Sequence, residues 1–289
     1  MSERLFFVGP GRAGLSLGYG LWQAGAVEAI TYCGRRPDPP PHPLFIEGNA
    51  RYVFGLEKPT EGTTAVVLSV PDLVLPEVAV ALAAQGEAPG GCSAFHLSGA
   101  LGTDPLAPLL SAGYSIGALH PLQTLADPVL GARQLQGVYF SISGEPSAFA
   151  VARRIVHHMG GESLAVPVTR RPLYHAAAVF ASNYLAGLIA AAGRLMAQAG
   201  VPEDEALLSI LPLARGSLEN LERMGPVQAL TGPISRGDLE TVGMHLRALE
   251  PRERALYAAL GLEILNLARE GGLDEGTVEI VRDILERGT

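Results

Sequence analysis

The sequence contains only two cysteines among its 289 residues. Cys33 and Cys92 are far apart and form no Cys-x-x-Cys pair, so neither a zinc site nor a disulfide framework is indicated. Such sparse use of cysteine fits a reducing compartment. We therefore expect a cytoplasmic protein that binds no metal.

Positive charge is scarce as well. Lys and Arg together number 21 against 29 Asp and Glu, which gives a formal net charge of −8 at pH 7. A surface that binds a nucleic-acid backbone needs an excess of basic residues, so we expect no nucleic-acid partner. The first residues also lack a basic region followed by a long apolar stretch, so we expect no export signal.

Long apolar runs are limited to one segment, Ala176 to Gly193. It is long enough to suggest a membrane span, but Ser182 and Asn183 lie at its centre and no second such run accompanies it. We interpret it as a buried core helix and expect no membrane association. The helix predicted from Arg171 to Gly200 is too long for the short helices after it to cover, which predicts a homodimer through the C-terminal helices.

The N-terminal part of the chain alternates short apolar runs with helical stretches, which is typical of a parallel sheet with crossover helices. After about residue 168 the strand pattern stops and only helical patterns follow. The predicted fold class is α/β, with a Rossmann-type parallel sheet domain followed by an all-helical C-terminal domain. Residues 1–168 form the predicted sheet domain, and residues 169–289 form the predicted helical domain.

Two segments are too rich in proline and glycine for regular structure. Residues 35–45, RRPDPPPHPLF, should form a surface loop after the second strand. Residues 225–238, GPVQALTGPISRGD, should form an irregular loop between helices, a place where binding residues often collect. In that loop Arg236 is a candidate contact for an anionic substrate group, while Asp238 is a candidate cap of the next helix.

A glycine-rich motif directly follows the first predicted strand. Its residues are Gly9, Pro10, Gly11, Arg12, Ala13 and Gly14, which match G-x-G-x-x-G. A strand before this motif and a helix after it are the context in which it binds a dinucleotide. The first glycine permits the tight turn, the second lets the backbone approach the pyrophosphate, and the third lets the helix pack against the strand. Because the helix N-terminus also offers free N–H groups, we predict a dinucleotide site here.

Arginine stands where NAD-binding proteins place an acid. An Asp or Glu about 20 residues after the glycines binds the ribose of NAD. This sequence instead has Arg35 and Arg36 at the end of the second predicted strand. A guanidinium suits a 2′-phosphate by its charge and by its fork of donors. NADP is therefore the predicted cofactor, and two solvated loop arginines are the alternative.

Three further predicted strands end in small residues or histidine. In an open α/β sheet, ligands lie outside the carboxyl ends of the strands. The residues at these ends that we expect to line the cofactor site are Ser69, Val70, Pro71, Ser98 and Gly99. His120 ends another strand, and histidine is the side chain most readily adapted to proton transfer near neutral pH. It is a candidate catalytic residue, with a structural role as the alternative.

Six motifs, in chain order, resemble those of a known family: VGPGRAG, LSVPD, HLSGA, LHPLQT, YHAAAVFASNYL and LTGPISRGD. Over essentially the whole chain, the sequence resembles a bacterial family of Rossmann-like oxidoreductases with an all-helical C-terminal domain of unknown function. That family is related to the deazaflavin-dependent NADP oxidoreductases and to the 6-phosphogluconate dehydrogenase-like superfamily. The resemblance implies the two-domain fold, an NADP-linked redox role and a dimer. It implies no particular substrate.

The chain departs from related families on the first long helix of the second domain. β-Hydroxyacid dehydrogenases use a Lys-x-x-x-Asn pair there, but no lysine stands four residues before Asn183, and the only lysine is Lys58. Lysine general-base chemistry is therefore excluded. Prephenate dehydrogenases carry a histidine near the start of this helix, and the resemblance places Tyr174, His175 and Ser182 in the matching frame.

The predicted function is hydride transfer between NADP(H) and a small substrate held between the two domains. The candidate site residues are His175 and His120 as acid/base groups, Ser98 and Asn183 as hydrogen-bonding partners of the reacting oxygen, and Tyr174, Ser182 and Arg236 as substrate contacts. Two alternatives stay open. One is hydride exchange between NADP and a deazaflavin, which needs no protein acid/base group, and the other is a redox-inactive NADP-binding sensor or partner-binding protein.

Overall fold

The computed structural model describes residues 2–287, and within that range the chain forms one eight-stranded sheet and twelve α-helices. The strands are β1 (Glu3–Val8), β2 (Val27–Gly34), β3 (Arg51–Phe54), β4 (Ala65–Leu68), β5 (Ser93–His96), β6 (Ser115–Pro121), β7 (Tyr139–Gly144) and β8 (Glu162–Ala165). The helices are α1 (Arg12–Gln23), α2 (Pro43–Ile46), α3 (Leu75–Ala83), α4 (Pro108–Ser111), α5 (Pro128–Gln134), α6 (Pro146–His158), α7 (Arg171–Val179), α8 (Leu185–Gln198), α9 (Glu203–Ala229), α10 (Leu239–Ala248), α11 (Pro251–Glu270) and α12 (Glu275–Arg287).

The sheet has the strand order β3-β2-β1-β4-β5-β6-β7-β8. The first six strands pair in parallel, with the order reversing between β1 and β4 as in doubly wound Rossmann folds. β7 then pairs antiparallel to β6, and β8 pairs parallel to β7. The predicted Rossmann-type sheet is thus confirmed as a mostly parallel one. The antiparallel step, which the sequence pattern does not predict, places Ser141 of β7 directly opposite His120 of β6.

Apolar side chains cover both faces of this sheet. One buried layer lies under α1 and α6 and includes Phe7, Leu17, Leu21, Tyr32, Phe95, Phe140 and Ile155. The opposite layer lies under α3 and α4 and includes Phe6, Val8, Leu68, Leu75, Leu82 and Leu109. Successive residues of a strand point to opposite faces, which is why Phe6 and Phe7 belong to different layers. Burial on both faces also explains why β4 is a continuous apolar run.

The chain divides into two compact units between Ser182 and Asn183. The first unit contains the sheet and α1 to α7, and the second contains α8 to α12. The division therefore lies after α7 rather than near residue 168, because the first residue of that helix, Arg171, is fully buried against β7. The second unit has its own apolar core, formed by Ile234, Val242, Leu246, Leu265, Val278, Val281 and Leu285.

Three local features differ from the sequence expectation. β3 is not predicted because only Val53 of its four residues is buried, so the edge strand has no clear apolar pattern. The proline-rich segment is a loop as far as His42, whose ring accepts a hydrogen bond from the Leu44 amide at 3.3 Å and begins the short α2. The predicted loop from residue 225 is partly helical, because α9 continues across a kink at Gly225, where φ is 75°, as far as Ala229.

The single helix predicted from Arg171 to Gly200 is interrupted by a π-helical turn at Phe180–Tyr184. In that turn Ser182 donates a hydrogen bond to the Ala178 carbonyl at 2.6 Å, a bond that competes with the helical backbone pattern. Only 6% of the most apolar window of Val168–Gln198 is buried. The expectation of a buried core helix is therefore wrong for the single chain, since apolarity in the sequence does not say what covers a helix. Among residues 2–287, this is the only helix long and apolar enough to cross a membrane.

Candidate functional site

The glycine-rich turn after β1 packs tightly against the end of β4. Gly9 has a φ of +94°, and a Cβ there would lie 2.9 Å from the Ser69 carbonyl oxygen. A Cβ on Gly11 would lie 3.1 Å from the same oxygen. The Ser69 side chain hydrogen-bonds to the Gly9 carbonyl and also fills the space beside Gly14. Each of the three glycines therefore permits a close backbone approach that a larger residue would prevent.

The N-terminus of α1 carries no protein cap. Gly11 occupies the N-cap position without a side-chain hydrogen bond, and the first turn contains no acidic residue. The first N–H groups of the helix and the positive end of its dipole therefore face outward from the glycine turn. These are the groups that bind a phosphate at the start of a Rossmann helix.

A pocket of 410 Å³ lies at the carboxyl ends of β1, β2 and β4. Seven of the predicted cofactor-site residues line it: Gly9, Pro10, Gly11, Arg35, Ser69, Val70 and Pro71. Its remaining walls are largely apolar, with Leu56, Val74 and Val78 among them. Cys33 also lines the pocket, and burial raises the pKa of its thiol to about 11, so this cysteine is not a nucleophile at neutral pH. The size and lining suit a planar, partly apolar ligand group.

One of the two predicted phosphate-binding arginines, Arg35, borders this pocket. Arg35 and Arg36, together with Pro10 and the proline-rich loop, line an adjoining cavity of 850 Å³. Both arginines are exposed, and among residues 2–287 neither forms an ion pair. Tyr52 donates a hydrogen bond to the Arg36 carbonyl at 2.7 Å, which fixes the backbone of this turn. The guanidinium groups are thus free to receive a ligand.

The turn after β5 is held by hydrogen bonds from several directions. The buried His96 ring accepts from the Ser98 amide at 3.1 Å and bonds to the Gly102 carbonyl at 2.7 Å. The Ser98 hydroxyl donates to Asp72 at 2.6 Å and accepts from the amides of residues 100 and 101 at 3.3 Å. Ser98 is therefore occupied in shaping the turn, whereas the sequence suggested that it bonds to the reacting oxygen. That suggested role stays a prediction.

Three of the predicted catalytic and substrate residues meet beside Gly99. His120 Nδ1 lies 2.7 Å from the Tyr174 hydroxyl, and the His120 and His175 rings are 6.0 Å apart. The point where a Cβ of Gly99 would stand is 2.7 Å from both His120 Nε2 and His175 Nδ1. His175 Nδ1 is buried and has no hydrogen-bond partner within residues 2–287. Both ring nitrogens therefore pack against the Gly99 backbone and leave no room for a side chain at that position.

A buried arginine that the sequence analysis did not identify lies beneath this cluster. Arg171 is fully buried and donates to the Ser98 and Gly99 carbonyls at 3.4 Å. It also donates to the hydroxyls of Ser141 at 3.3 Å and Ser143 at 3.0 Å. All four acceptors are neutral, and among residues 2–287 no carboxylate pairs with this guanidinium. Two consecutive arginines at residues 170 and 171 were the only feature of the sequence that could have indicated this buried cation.

The protonation of the cluster follows from burial and from this cation. Burial lowers the pKa of His120 to about 4, assisted by the nearby His175, Arg171 and His96, and opposed by Asp72. Burial raises the pKa of Tyr174. At neutral pH His120 is therefore an uncharged imidazole beside a protonated phenol.

The remaining predicted site residues lie at or beyond the boundary between the two units. Ser182 ends the first unit and bonds to its own helix backbone. Asn183 and Arg236 belong to the second unit, and Arg236 is exposed. Asp238 accepts from the Thr241 amide at 3.1 Å and caps α10, as predicted. Within residues 2–287 no group of three or more His, Cys, Asp or Glu side chains could hold a metal ion.

Family models divide the chain into two parts. Residues 5–121 match the model of a Rossmann-like domain, and residues 138–264 match that of a domain of unknown function, DUF2520. This combination confirms the resemblance inferred from the six motifs. No curated protein matches the sequence.

Three solved structures share the fold over nearly the whole chain. Protein TM1727 from Thermotoga maritima has a TM-score of 0.63 at 24% identity, with 98% of both chains covered. A Bacteroides fragilis protein named as an NADP oxidoreductase has a TM-score of 0.67 at 20% identity, covering 93% of this chain and 98% of that one. The pyrroline carboxylate reductase of Plasmodium falciparum, solved with NADP bound, has a TM-score of 0.61 at 14% identity, with 98% of both chains covered.

Proposed function

This chain is a Rossmann-like protein with a C-terminal DUF2520 domain, and we propose that it is an NADP(H)-dependent oxidoreductase. The observation that carries the proposal is the lining of the 410 Å³ pocket by the glycine turn, by the end of β4 and by Arg35. Two of the three similar structures support it, since one is named as an NADP oxidoreductase and one was solved with NADP.

The residues present fit such a cofactor. The uncapped first turn of α1 would hold the pyrophosphate, because its N–H groups have no acidic or capping side chain competing for them. Arg35 and Arg36 would hold the 2′-phosphate through charge-assisted hydrogen bonds. The apolar walls at Leu56 and Val74 would contact the adenine. When bound, NADP(H) supplies or accepts the hydride.

The histidine cluster would supply the proton that accompanies hydride transfer. His120 Nε2 and His175 Nδ1 lie close together beside the Gly99 backbone, and either ring could exchange a proton with a substrate bound next to it. At neutral pH the uncharged His120 acts as a hydrogen-bond donor or a base rather than as a cationic acid. Tyr174 holds its orientation through the bond to Nδ1. The predicted roles of Asn183, Ser182 and Arg236 toward the substrate remain part of the proposal.

Cofactor preference tests the nucleotide half of the proposal. We expect NADPH to bind more tightly than NADH by a factor of about ten to a hundred or more in a calorimetric or fluorescence titration, because one or two charge-assisted bonds contribute about 1.5–3 kcal/mol each. Replacing Arg35 and Arg36 together by Ala should remove most of the difference. Arg153→Ala, at another exposed arginine, is the matched control and should change neither constant. Equal dissociation constants for the two nucleotides in the unmodified protein would exclude the assignment.

Turnover tests the redox half. The protein is mixed with NADPH, or with NADP, and a panel of imines, 2- and 3-hydroxy acids, their keto forms and a deazaflavin, and absorbance at the nicotinamide band is followed. Turnover of an imine, keto or hydroxy compound supports the proposal. Turnover of the deazaflavin alone would favour hydride exchange between cofactors. Tight NADPH binding without turnover of any compound would favour the redox-inactive alternative.

We also propose that the chain forms a homodimer through its C-terminal helices. The support is the apolar surface of Val168–Gln198, of which the most apolar window is only 6% buried in the single chain. A soluble protein rarely leaves so large an apolar surface exposed. One chain has a mass of 30.2 kDa. Light scattering at micromolar concentration should give twice that mass, and the mass of a monomer would contradict the proposal.

A further inference from the structure

One face of α3, together with the residue that precedes this helix, forms a wall of the 410 Å³ pocket. Four side chains at the spacing of a single helical face line the pocket there: Val74, Glu77, Val78 and Ala81. The buried residues of the same helix belong instead to the core beneath the sheet: Leu75, Ala79 and Leu82. The helix thus presents one charged side chain, Glu77, in a wall that is otherwise apolar.

Glu77 shares this pocket with a cation but does not pair with it. Arg35 also lines the pocket, yet among residues 2–287 neither side chain forms an ion pair, with the other or with any further residue. The hydroxyl of Ser69, another polar group of the lining, is already bonded to the Gly9 carbonyl. The pocket therefore offers a ligand one guanidinium and one carboxylate within a largely apolar lining.

Adenosine that carries a 2′-phosphate matches both charged groups. Its phosphate is attracted by Arg35 and repelled by the Glu77 carboxylate, so the charges fix which way the nucleoside lies in the pocket. The edge of the adenine farthest from the ribose carries the 6-amino group, which is a hydrogen-bond donor. A carboxylate accepts hydrogen bonds and donates none. Glu77 therefore suits the amino edge of the base as Arg35 suits the phosphate.

We propose that Glu77 selects the base of the nucleotide by accepting a hydrogen bond from the 6-amino group of adenine. A base with a carbonyl at this position, such as hypoxanthine, places an acceptor against the carboxylate and binds less tightly. Glu77 is thus a specificity-determining residue of the nucleotide site and takes no part in hydride or proton transfer. The inference rests on the proposed binding of NADP(H), but it does not depend on redox turnover.

Glu77 also lies in the first turn of α3, where a carboxylate interacts favourably with the helix dipole. That role involves no ligand, and its loss would change the affinities for all nucleotides by the same factor. The ratio of the affinities for two nucleotides that differ only in the base separates the two roles, because the stability of the helix cancels in it.

Calorimetric titration with NADPH and with its hypoxanthine analogue measures this ratio. In the unmodified protein we expect NADPH to bind about tenfold more tightly, the effect of one charge-assisted hydrogen bond in a partly exposed site. Glu77→Ala removes the acceptor and should bring the ratio close to one. Glu77→Gln should do the same, because an amide can accept from the amino group of adenine or donate to the carbonyl of hypoxanthine.

Glu87→Ala is the matched control. Glu87 is an exposed glutamate that follows α3 and does not line the pocket, so its replacement removes the same charge without removing the acceptor. It should leave the ratio of the two affinities unchanged. If Glu77→Ala does not fold, the contrast between Glu77→Gln, which keeps the shape of the side chain, and Glu87→Ala decides the question.

Equal affinities for the two bases in the unmodified protein, or a ratio that persists in both Glu77 variants, would overturn the proposal. Tighter binding of the hypoxanthine analogue would also overturn it, because the carboxylate would then accept from the ring N1–H of that base. If NADPH is preferred to NADH but the bases are not distinguished, the proposed function stands and this inference fails. If Glu77 distinguishes the bases but no compound is turned over, the redox function fails and this inference stands.

Discussion

The nucleotide pocket and the histidine cluster lie on the same sheet but are built in different ways. The pocket is formed by backbone: three glycines and an uncapped helix turn at the ends of β1 and β4, with apolar walls. The cluster is formed by side chains, which β6, β7 and α7 bring together around Gly99. In the proposed function this difference corresponds to a division of labour, in which the pocket binds the nucleotide and the cluster takes part in the reaction.

Replacing His175 by Gln should separate the two functions most clearly. We expect turnover of the substrate identified from the panel to fall by about a hundredfold to ten-thousandfold, the range for loss of one positioned proton-transfer group. NADPH affinity should stay nearly unchanged, because the proposed nucleotide contacts are the glycine turn and the arginines. Steady-state kinetics and a parallel NADPH titration measure the two effects.

His120→Gln is the internal comparison for this experiment. If it abolishes turnover while His175→Gln retains full activity, His120 alone carries the acid/base role. If both variants turn over normally, the histidines are structural. The deazaflavin alternative, which needs no protein acid/base group, then becomes the better account of the site.

The nucleotide pocket and the histidine cluster also differ in how much of each could be predicted from the sequence. The glycine turn and Arg35 lie within one β-α-β unit, so their spacing along the chain reports their spacing in the fold. The sequence identified His120 and His175 as candidates because histidine suits proton transfer. It could not show that the two rings lie side by side, because this depends on how α7 packs onto the sheet. Arg171 and Ser141 were not found, because an antiparallel β7 cannot be distinguished from a parallel one by its apolar pattern.

The same reasoning applies to the fold. The mostly parallel sheet and the helical C-terminal part follow from the alternation of apolar periods, and both were predicted. The interruption of the long helix at Phe180–Tyr184 was not, since its sequence is as apolar and helix-compatible as its surroundings. The apolar pattern near residue 168 also does not show that α7 belongs to the same unit as the sheet. The contact that holds α7 there is made by one buried side chain, Arg171.

A glycine substitution tests the backbone character of the nucleotide pocket. Gly9→Ala places a methyl group 2.9 Å from the Ser69 carbonyl oxygen at a φ of +94°. We expect NADPH binding to weaken by about a hundredfold, because the turn must shift away from its place beside β4. Gly25→Ala is the control, since its φ of +65° is also positive but nothing lies within 4 Å of the added Cβ. It should cost about 1 kcal/mol of stability and leave binding unchanged.

The smallest effect concerns the stability of the cluster against acid. Burial lowers the pKa of His120 from 6.5, the ordinary value for histidine, to about 4, so the folded state binds fewer protons than the unfolded chain between these values. Stability is therefore complete above pH 6.5, falls as the pH is lowered through this window, and loses no more from this group below about 4. After a discount for partial exposure of the ring, we expect the loss to be about 2 kcal/mol.

Unfolding by urea at pH 7 and at pH 4.5 measures this loss. His120→Gln cannot take up the proton, so its stability should fall less between the two pH values than that of the unmodified protein. Some acid sensitivity should remain, because burial also lowers the pKa of His96. His157→Gln, at an exposed histidine of α6, is the control and should keep the full acid sensitivity. If His120→Gln instead responds to acid as strongly as His157→Gln does, the His120 ring is not held in its neutral form by the fold, and the contrast between a backbone-built pocket and a charge-tuned cluster loses its electrostatic basis.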